Sequence, residues 1–244
     1  MKPRITGLFP LLIVSALVGA LIPSVAAAAP KVEILVVDLN LDGAAVAPSV
    51  ARLAAVLERL SGARVEVMDF RRVTGASIAE MGPRAVVLSP QSDPWWLWEK
   101  AELDRLKALV RGLKLPVLGV CGGHQLLAMA FGGAVGPIKG EARPAGYEGM
   151  FREKGRTVVR VRQADPLFEG LAKVDIAVHQ FHVEEIKTMP EGFDWLVEGS
   201  VSPFQAIGHK ARPVYGVQFH PESRRSPGPA GEKILSNFLK IAFK

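Results

Sequence analysis

Two rhythms divide the chain. From Lys31 to Gly133, short apolar runs of strand length alternate with segments whose apolar residues recur at helical spacing. Val32–Val37 (VEILVV) predicts a buried strand ending at Asp38. Pro48–Leu60 predicts a helix, with Val50, Leu53, Ala54, Val56, Leu57 and Leu60 at helical spacing and Ser61-Gly62 closing it. Arg64–Phe70 alternates as a strand, Ala76–Met81 reads as a short helix before Gly82-Pro83, and Arg84–Leu88 is a strand running into Ser89-Pro90-Gln91-Ser92-Asp93-Pro94. Trp95–Leu113 predicts one long amphipathic helix with Leu97, Leu103, Leu106, Leu109 and Val110 facing inward. Leu115–Val120 is a further buried strand, and Gln125–Phe131 a helix that is apolar on most sides.

This alternation implies an α/β fold with a central, mostly parallel sheet flanked by helices, whose ligands sit at the carboxyl ends of the strands. After Gly133 the rhythm changes. Gly155–Arg162, Val174–Val183, Phe193–Glu198, Pro203–His209 and Val214–Phe219 read as strands joined by short turns, and Gly231–Phe243 as a closing helix. The expected architecture is one α/β domain with additional antiparallel strands in the C-terminal half.

Residues 1–28 stand apart from this pattern. Lys2 and Arg4 precede the apolar run Leu8–Ile22, and Ala26-Ala27-Ala28 supplies small residues for cleavage before Ala29. A charged n-region, an h-region and such a site predict a signal peptide, hence an exported (periplasmic or secreted) domain over 29–244. An uncleaved membrane anchor is the alternative, since Leu8–Ala29 carries no charge over 22 residues. Removing the leader takes Lys2 and Arg4 and leaves 216 residues with 28 basic against 24 acidic, a good size for one domain. The basic residues are scattered, with no stripe of interleaved aromatics, which argues against nucleic acid as a partner.

Cys121 is the single cysteine, so no internal disulfide framework exists. It is an inert thiol, an intermolecular partner or a nucleophile. Its place favours the last: it follows a buried strand and precedes Gly122, Gly123 and a helix. A strand-to-helix turn lifts the thiol above the sheet edge, as in the G-x-S-x-G elbow of serine hydrolases, and the helix N-terminus favours the thiolate. A thiol nucleophile needs a base. Among the five histidines, His220 ends a strand-like run and is followed by Pro221-Glu222, which places a carboxylate where it can orient the imidazole.

Gly119-Val-Cys-Gly-Gly-His-Gln125 and Gly216-Val-Gln-Phe-His-Pro-Glu222, with Cys121 and His220 99 residues apart, resemble the two signatures of class I glutamine amidotransferase domains. The likeness runs from the Val32–Asp38 strand to Asn237-Phe238-Leu239, nearly the whole mature chain, and implies a flavodoxin-like amidotransferase fold. It also implies roles: Cys121 attacks the side-chain amide carbon of glutamine or a γ-glutamyl compound, His220 shuttles the proton and Glu222 orients it. Water then releases glutamate from the thioester. Gly122 N–H and a second N–H after the Arg84–Leu88 strand would hold the oxyanion, and Gln125 matches a substrate-holding position. No cofactor is implied, and no metal-ligand spacing is present.

Three departures from the family pattern stand out. The loop Ser89-Pro90-Gln91-Ser92 has no glycine, and because Pro90 cannot donate, Gln91 or Ser92 must supply the second N–H. In Gln180-Phe181-His182-Val183-Glu184, which resembles the S-H-G-D-like stretch, Phe181 and Val183 replace small residues. That points to a different substrate, with His182 as a substrate contact or a structural hydrogen-bonding group. Trp95, Trp96 and Trp98 read as core packing, with the alternative that one or two wall the pocket for a bulkier γ-glutamyl substrate. His124 receives no catalytic role. With no P-loop in the chain, the reading is an exported stand-alone hydrolase. The alternatives are a glutaminase subunit passing ammonia to a synthetase partner, and a non-catalytic binding protein.

Overall fold

The computed structural model describes residues 1, 31–43, 45–144, 146–171, 175–225 and 229–244. The leader and its cleavage site lie outside these residues, Met1 apart. Among the described residues no helix is long and apolar enough to cross a membrane.

The sheet grows outward from β1 (Ile34–Asp38), whose five residues are all buried. β2 (Val65–Asp69) and β3 (Ala85–Leu88) pair with it in parallel on either side, and β4 (Val117–Val120) pairs in parallel with β3. The next place is taken by β11 (Val214–Val217), also parallel, with Gly216 opposite Gly119. This gives the β2-β1-β3-β4-β11 order of flavodoxin-like folds.

The antiparallel strands form no separate layer. They continue the same sheet as β10 (Phe204–His209), β9 (Phe193–Glu198), β6 (Glu153–Val161) and β7 (Asp175–His182), beyond β11. A two-stranded ribbon of β5 (Ala134–Pro137) and β8 (Glu184–Thr188) lies apart. These two short strands gave no sequence signal.

Successive side chains of β1 point to opposite faces, and each face has its own core. Ile34 and Val36 pack with α1 (Pro48–Ser61) and α5 (Ala230–Ala242). Leu35 and Val37 pack with α2 (Gly75–Met81), α3 (Lys100–Gly112) and α4 (Gly122–Ala130). The buried Asn237 amide ties α5 to the neighbouring loop by donating to Leu167 O and Glu169 O, each at 3.0 Å.

The single helix expected over 95–113 is two pieces. Trp95–Leu97 forms a 3₁₀ turn, Trp98 and Glu99 are extended, and α3 starts at Lys100. The break turns Trp95 and Trp98 inward, with Trp98 between Trp95 (ring centroids 4.9 Å apart) and Phe70 (4.6 Å). Leu97, expected inside, is left 49% exposed. Burying two indoles outweighs continuing a regular helix through a leucine.

α4 rests on the sheet with no space between. A Cβ on Gly119 would stand 2.4 Å from Gly123 O, and one on Gly123 would stand 2.3 Å from Leu88 O. Gly119→Ala should therefore fail to reach the native packing and give little soluble protein. Phe238→Ala, in the α1/α5 core at a fully buried position, should fold but lose about 3–5 kcal/mol, read as a lower midpoint in urea unfolding.

Candidate active site

The close seating of α4 forces the chain through a sharp bend at Cys121. Its φ of 51° and ψ of −103° make it the single non-glycine residue with positive φ among those described. Such a conformation costs about 1–3 kcal/mol and persists where its surroundings over-determine it. Here Cys121 N–H donates to Val217 O at 2.8 Å, Gly123 N–H to Ser89 O at 3.0 Å and Gln125 N–H to Cys121 O at 3.1 Å. The bend is thereby clamped to β11, to the loop after β3 and to its own helix.

That loop supplies the second wall. Ser89 Oγ accepts from Leu39 N–H at 3.0 Å and donates to Pro90 O at 2.7 Å, and Gln91 Oε1 accepts from Asp93 N–H. These bonds shape the loop without a glycine. A Cβ on Gly122 would lie 3.0 Å from the Gln91 backbone nitrogen and 2.3 Å from its Cγ, so Gly122 is the residue that lets the two segments meet. Gly122 N–H belongs to the first turn of α4, where amides have no intrahelical acceptor.

His220 arrives from the loop beyond β11. Its N–H donates to His179 O at 2.9 Å, and Nδ1–H donates to Glu222 Oε1 at 2.8 Å. Both side chains are buried. Burial alone would pull the imidazole down, but Glu222, and then the charge and hydrogen bond of Cys121, push it well above its ordinary value. Cys121, His220 and Glu222, from two segments a hundred residues apart, are thus brought into one array.

Cys121 lines a cavity of about 240 Å³, together with Gln91, Gln125 and His182. Gln125 is fully engaged by protein: Trp95 Nε1–H donates to its Oε1 at 2.7 Å, and its Nε2 donates to Glu184 O at 2.6 Å and Gln218 Oε1 at 3.0 Å. Gln218 Nε2 in turn points at Cys121 Sγ, 3.7 Å away. His182 makes structural contacts and also forms part of the cavity wall. Nδ1–H donates to Glu184 O at 2.9 Å and Nε2 lies 3.2 Å from the Glu153 carboxylate, while the ring still forms cavity wall. His124 is structural. Its Nε2–H donates to Phe204 O at 2.9 Å, and burial takes its pKa down to about 3. Trp95, Trp96 and Trp98 are not among the lining residues; Trp96 instead packs edge-on against Tyr147, with centroids 5.6 Å apart.

Four residues that line or reach this site carried no functional assignment from the sequence: Tyr147, Arg152, Glu184 and Gln218. Tyr147 Oη donates to Glu184 Oε2 at 2.5 Å, and Trp95 N–H reaches the same oxygen at 3.2 Å. Burial, then the charge and hydrogen bond of Glu184, raise the Tyr147 hydroxyl's pKa. Burial likewise raises the Glu184 carboxyl, against the pull of its two donors. Glu184 and Gln218 sat within stretches already singled out, two residues from His182 and from His220. Tyr147 and Arg152 lie in an irregular segment with no periodicity to mark them. Among the described residues no cluster of His, Cys, Asp or Glu could hold a metal ion.

The sequence pattern of the family described as glutamine amidotransferase class-I matches residues 51–242. The glutamine-hydrolyzing GMP synthase subunit of Methanocaldococcus jannaschii is 38% identical over 128 residues, 52% of this chain and 61% of that protein. Its counterpart in Archaeoglobus fulgidus is 38% identical over 135 residues, 55% and 66% of the two chains. In both, the match spans less than two thirds of the relative. A crystal structure assigned to a GMP synthase subunit from Thermoplasma acidophilum superposes with a TM-score of 0.71 at 27% identity, covering 87% of this chain and 94% of that one. A glutamine amidotransferase from Thermotoga maritima, at 18% identity and a TM-score of 0.60, shares the fold. With the match covering most of its length, the chain belongs to the class-I glutamine amidotransferase family.

Proposed function

We propose that this chain is a glutaminase subunit that hydrolyses the γ-amide of glutamine and delivers the ammonia to a separate synthetase partner. The observation that carries the chemistry is the Cys121–His220–Glu222 array at the end of a cavity. The Cys121 thiolate attacks the amide carbon, and the N–H groups of Gly122 and Gln91 stabilise the charge that develops on oxygen. Losing one oxyanion donor typically raises such a barrier by about 2.7–4 kcal/mol. The His220 imidazolium gives its proton to the leaving nitrogen, so ammonia departs and a γ-glutamyl thioester remains. Neutral His220 then takes a proton from water, which attacks the thioester; glutamate leaves and the thiolate–imidazolium pair returns. Glu222 holds one tautomer and balances the imidazolium throughout. The partner assignment is supported by the relatives, which are named as glutamine-hydrolyzing subunits of GMP synthase.

A second reading, an exported stand-alone hydrolase of γ-glutamyl amides, is favoured by the leader pattern of residues 1–28, with Lys2 and Arg4 before Leu8–Ile22. The two readings part on location and on dependence. N-terminal sequencing from fractionated cells should find Met1 in the cytosolic fraction under the first reading, or a new N-terminus at Ala29 under the second. Ammonia release should rise several-fold when a co-purified synthetase is added back in the first case and stay flat in the second.

Cys121→Ala should lower glutamine-dependent ammonia release by roughly four orders of magnitude or more; turnover equal to the parent's would exclude the thioester route. Glu222→Gln removes the charge that raises His220, so the imidazolium is lost at lower pH. The alkaline limb of the kcat/KM profile should move toward neutrality, with the plateau down by roughly 10²–10⁴-fold. An unmoved limb would assign it to another group.

A further inference from the structure

The cavity lined by Cys121 also carries a cation. Arg152 lines it, and no ion pair found among the described residues includes it. Its guanidinium carbon stands 4.6 Å from the centroid of the Phe181 ring. Arg152 directly precedes β6, and the register Glu153↔His182, Lys154↔Phe181 sets it beside the end of β7. Phe181 is 51% exposed and lines the same cavity. It is also the residue that stands where the family stretch has a small one. Stacking on a ring uses the flat face of a guanidinium and leaves its N–H edge free to grip a carboxylate with two parallel bonds.

The same cavity also carries a carboxyl group. Glu184, buried and held by Tyr147 and Trp95, lines the same cavity. A guanidinium, a carboxyl group and a thiol lining one cavity match a zwitterionic head group that carries an amide. We propose that Arg152, steadied by Phe181, is the carboxylate reader of this site. It selects γ-glutamyl amides whose α-carboxylate is free and rejects those in which it is absent or tied up in a peptide bond. The inference rests on the hydrolytic reading above and names its substrate class. On this account Phe181 does not mark a different substrate; it steadies the arginine that reads a free γ-glutamyl amide.

The test compares L-glutamine with 4-aminobutanamide, which keeps the amide and the amine and lacks the carboxylate. Calorimetric titration of the full chain carrying Cys121→Ala measures binding without turnover. The parent should prefer glutamine by about tenfold to a hundredfold, the range of a charge-assisted hydrogen-bonded contact. Adding Arg152→Gln should bring the ratio close to one; Arg152→Lys and Phe181→Ser should fall between, with unchanged circular dichroism. A preference kept in Arg152→Gln, or no binding of either amide to the parent, would overturn the proposal. If the preference follows Arg152 while the protein with Cys121 intact releases no ammonia, the reader stands and the hydrolytic reading fails.

Discussion

Everything at this site depends on how closely α4 sits on the sheet. Backbone touches backbone at Gly119, Gly123 and Leu88, leaving no room for a single methyl group. That contact makes the turn after β4 so abrupt that Cys121 is driven to positive φ. The strained bend is then held by hydrogen bonds to three different segments. Strain of this size survives only inside a rigid frame. The frame is the pair of apolar cores on the two sheet faces, which fix β3, β4 and β11 as neighbours. Core burial and sulfur position are therefore one physical fact seen at two scales.

A second level of order is polar and buried. A chain of side-chain bonds runs from Trp95 through Gln125 and Gln218 to the Cys121 sulfur. Gln125 also donates to the backbone carbonyl of Glu184, whose carboxylate takes the Tyr147 hydroxyl. Groups of this kind are costly to bury unless satisfied. Satisfied, they leave the cavity wall with few alternative arrangements. Gln125 is instructive. The resemblance implies that it holds substrate, yet its amide is spent on Trp95, Glu184 and Gln218. Its contribution here is the shape of the wall. The tryptophan cluster serves the same end at one remove, since Trp95 orients Gln125 from outside the cavity.

The halves of the fold differ in how they meet. Up to α4 the chain follows the βα rhythm, and each strand finds its neighbour through a helix. β11 then inserts beside β4, and the antiparallel strands extend the sheet from it. That insertion carries His220 and Glu222 to the thiol. It also carries β7, whose His179 carbonyl takes the His220 N–H and whose end brings Phe181 and His182 to the cavity. The late strands are thus what complete the site.

The sequence alone determined much: the strand and helix rhythm, the nucleophile turn and the His-Pro-Glu segment. These are readable because periodicity, turn chemistry and short motifs are local properties, set by neighbours a few residues away. Where local preference met a larger energy, reading failed: the helix expected over 95–113 breaks because two indoles gain more by turning into the core. Only the tertiary structure decided that the antiparallel strands continue the main sheet, that Gln91 faces Gly122 across a loop without glycine, and that Tyr147, Arg152, Glu184 and Gln218 converge on one cavity. Such meetings join residues tens of positions apart, and they are specified by the packing of whole elements, for which no stretch of chain carries a local mark.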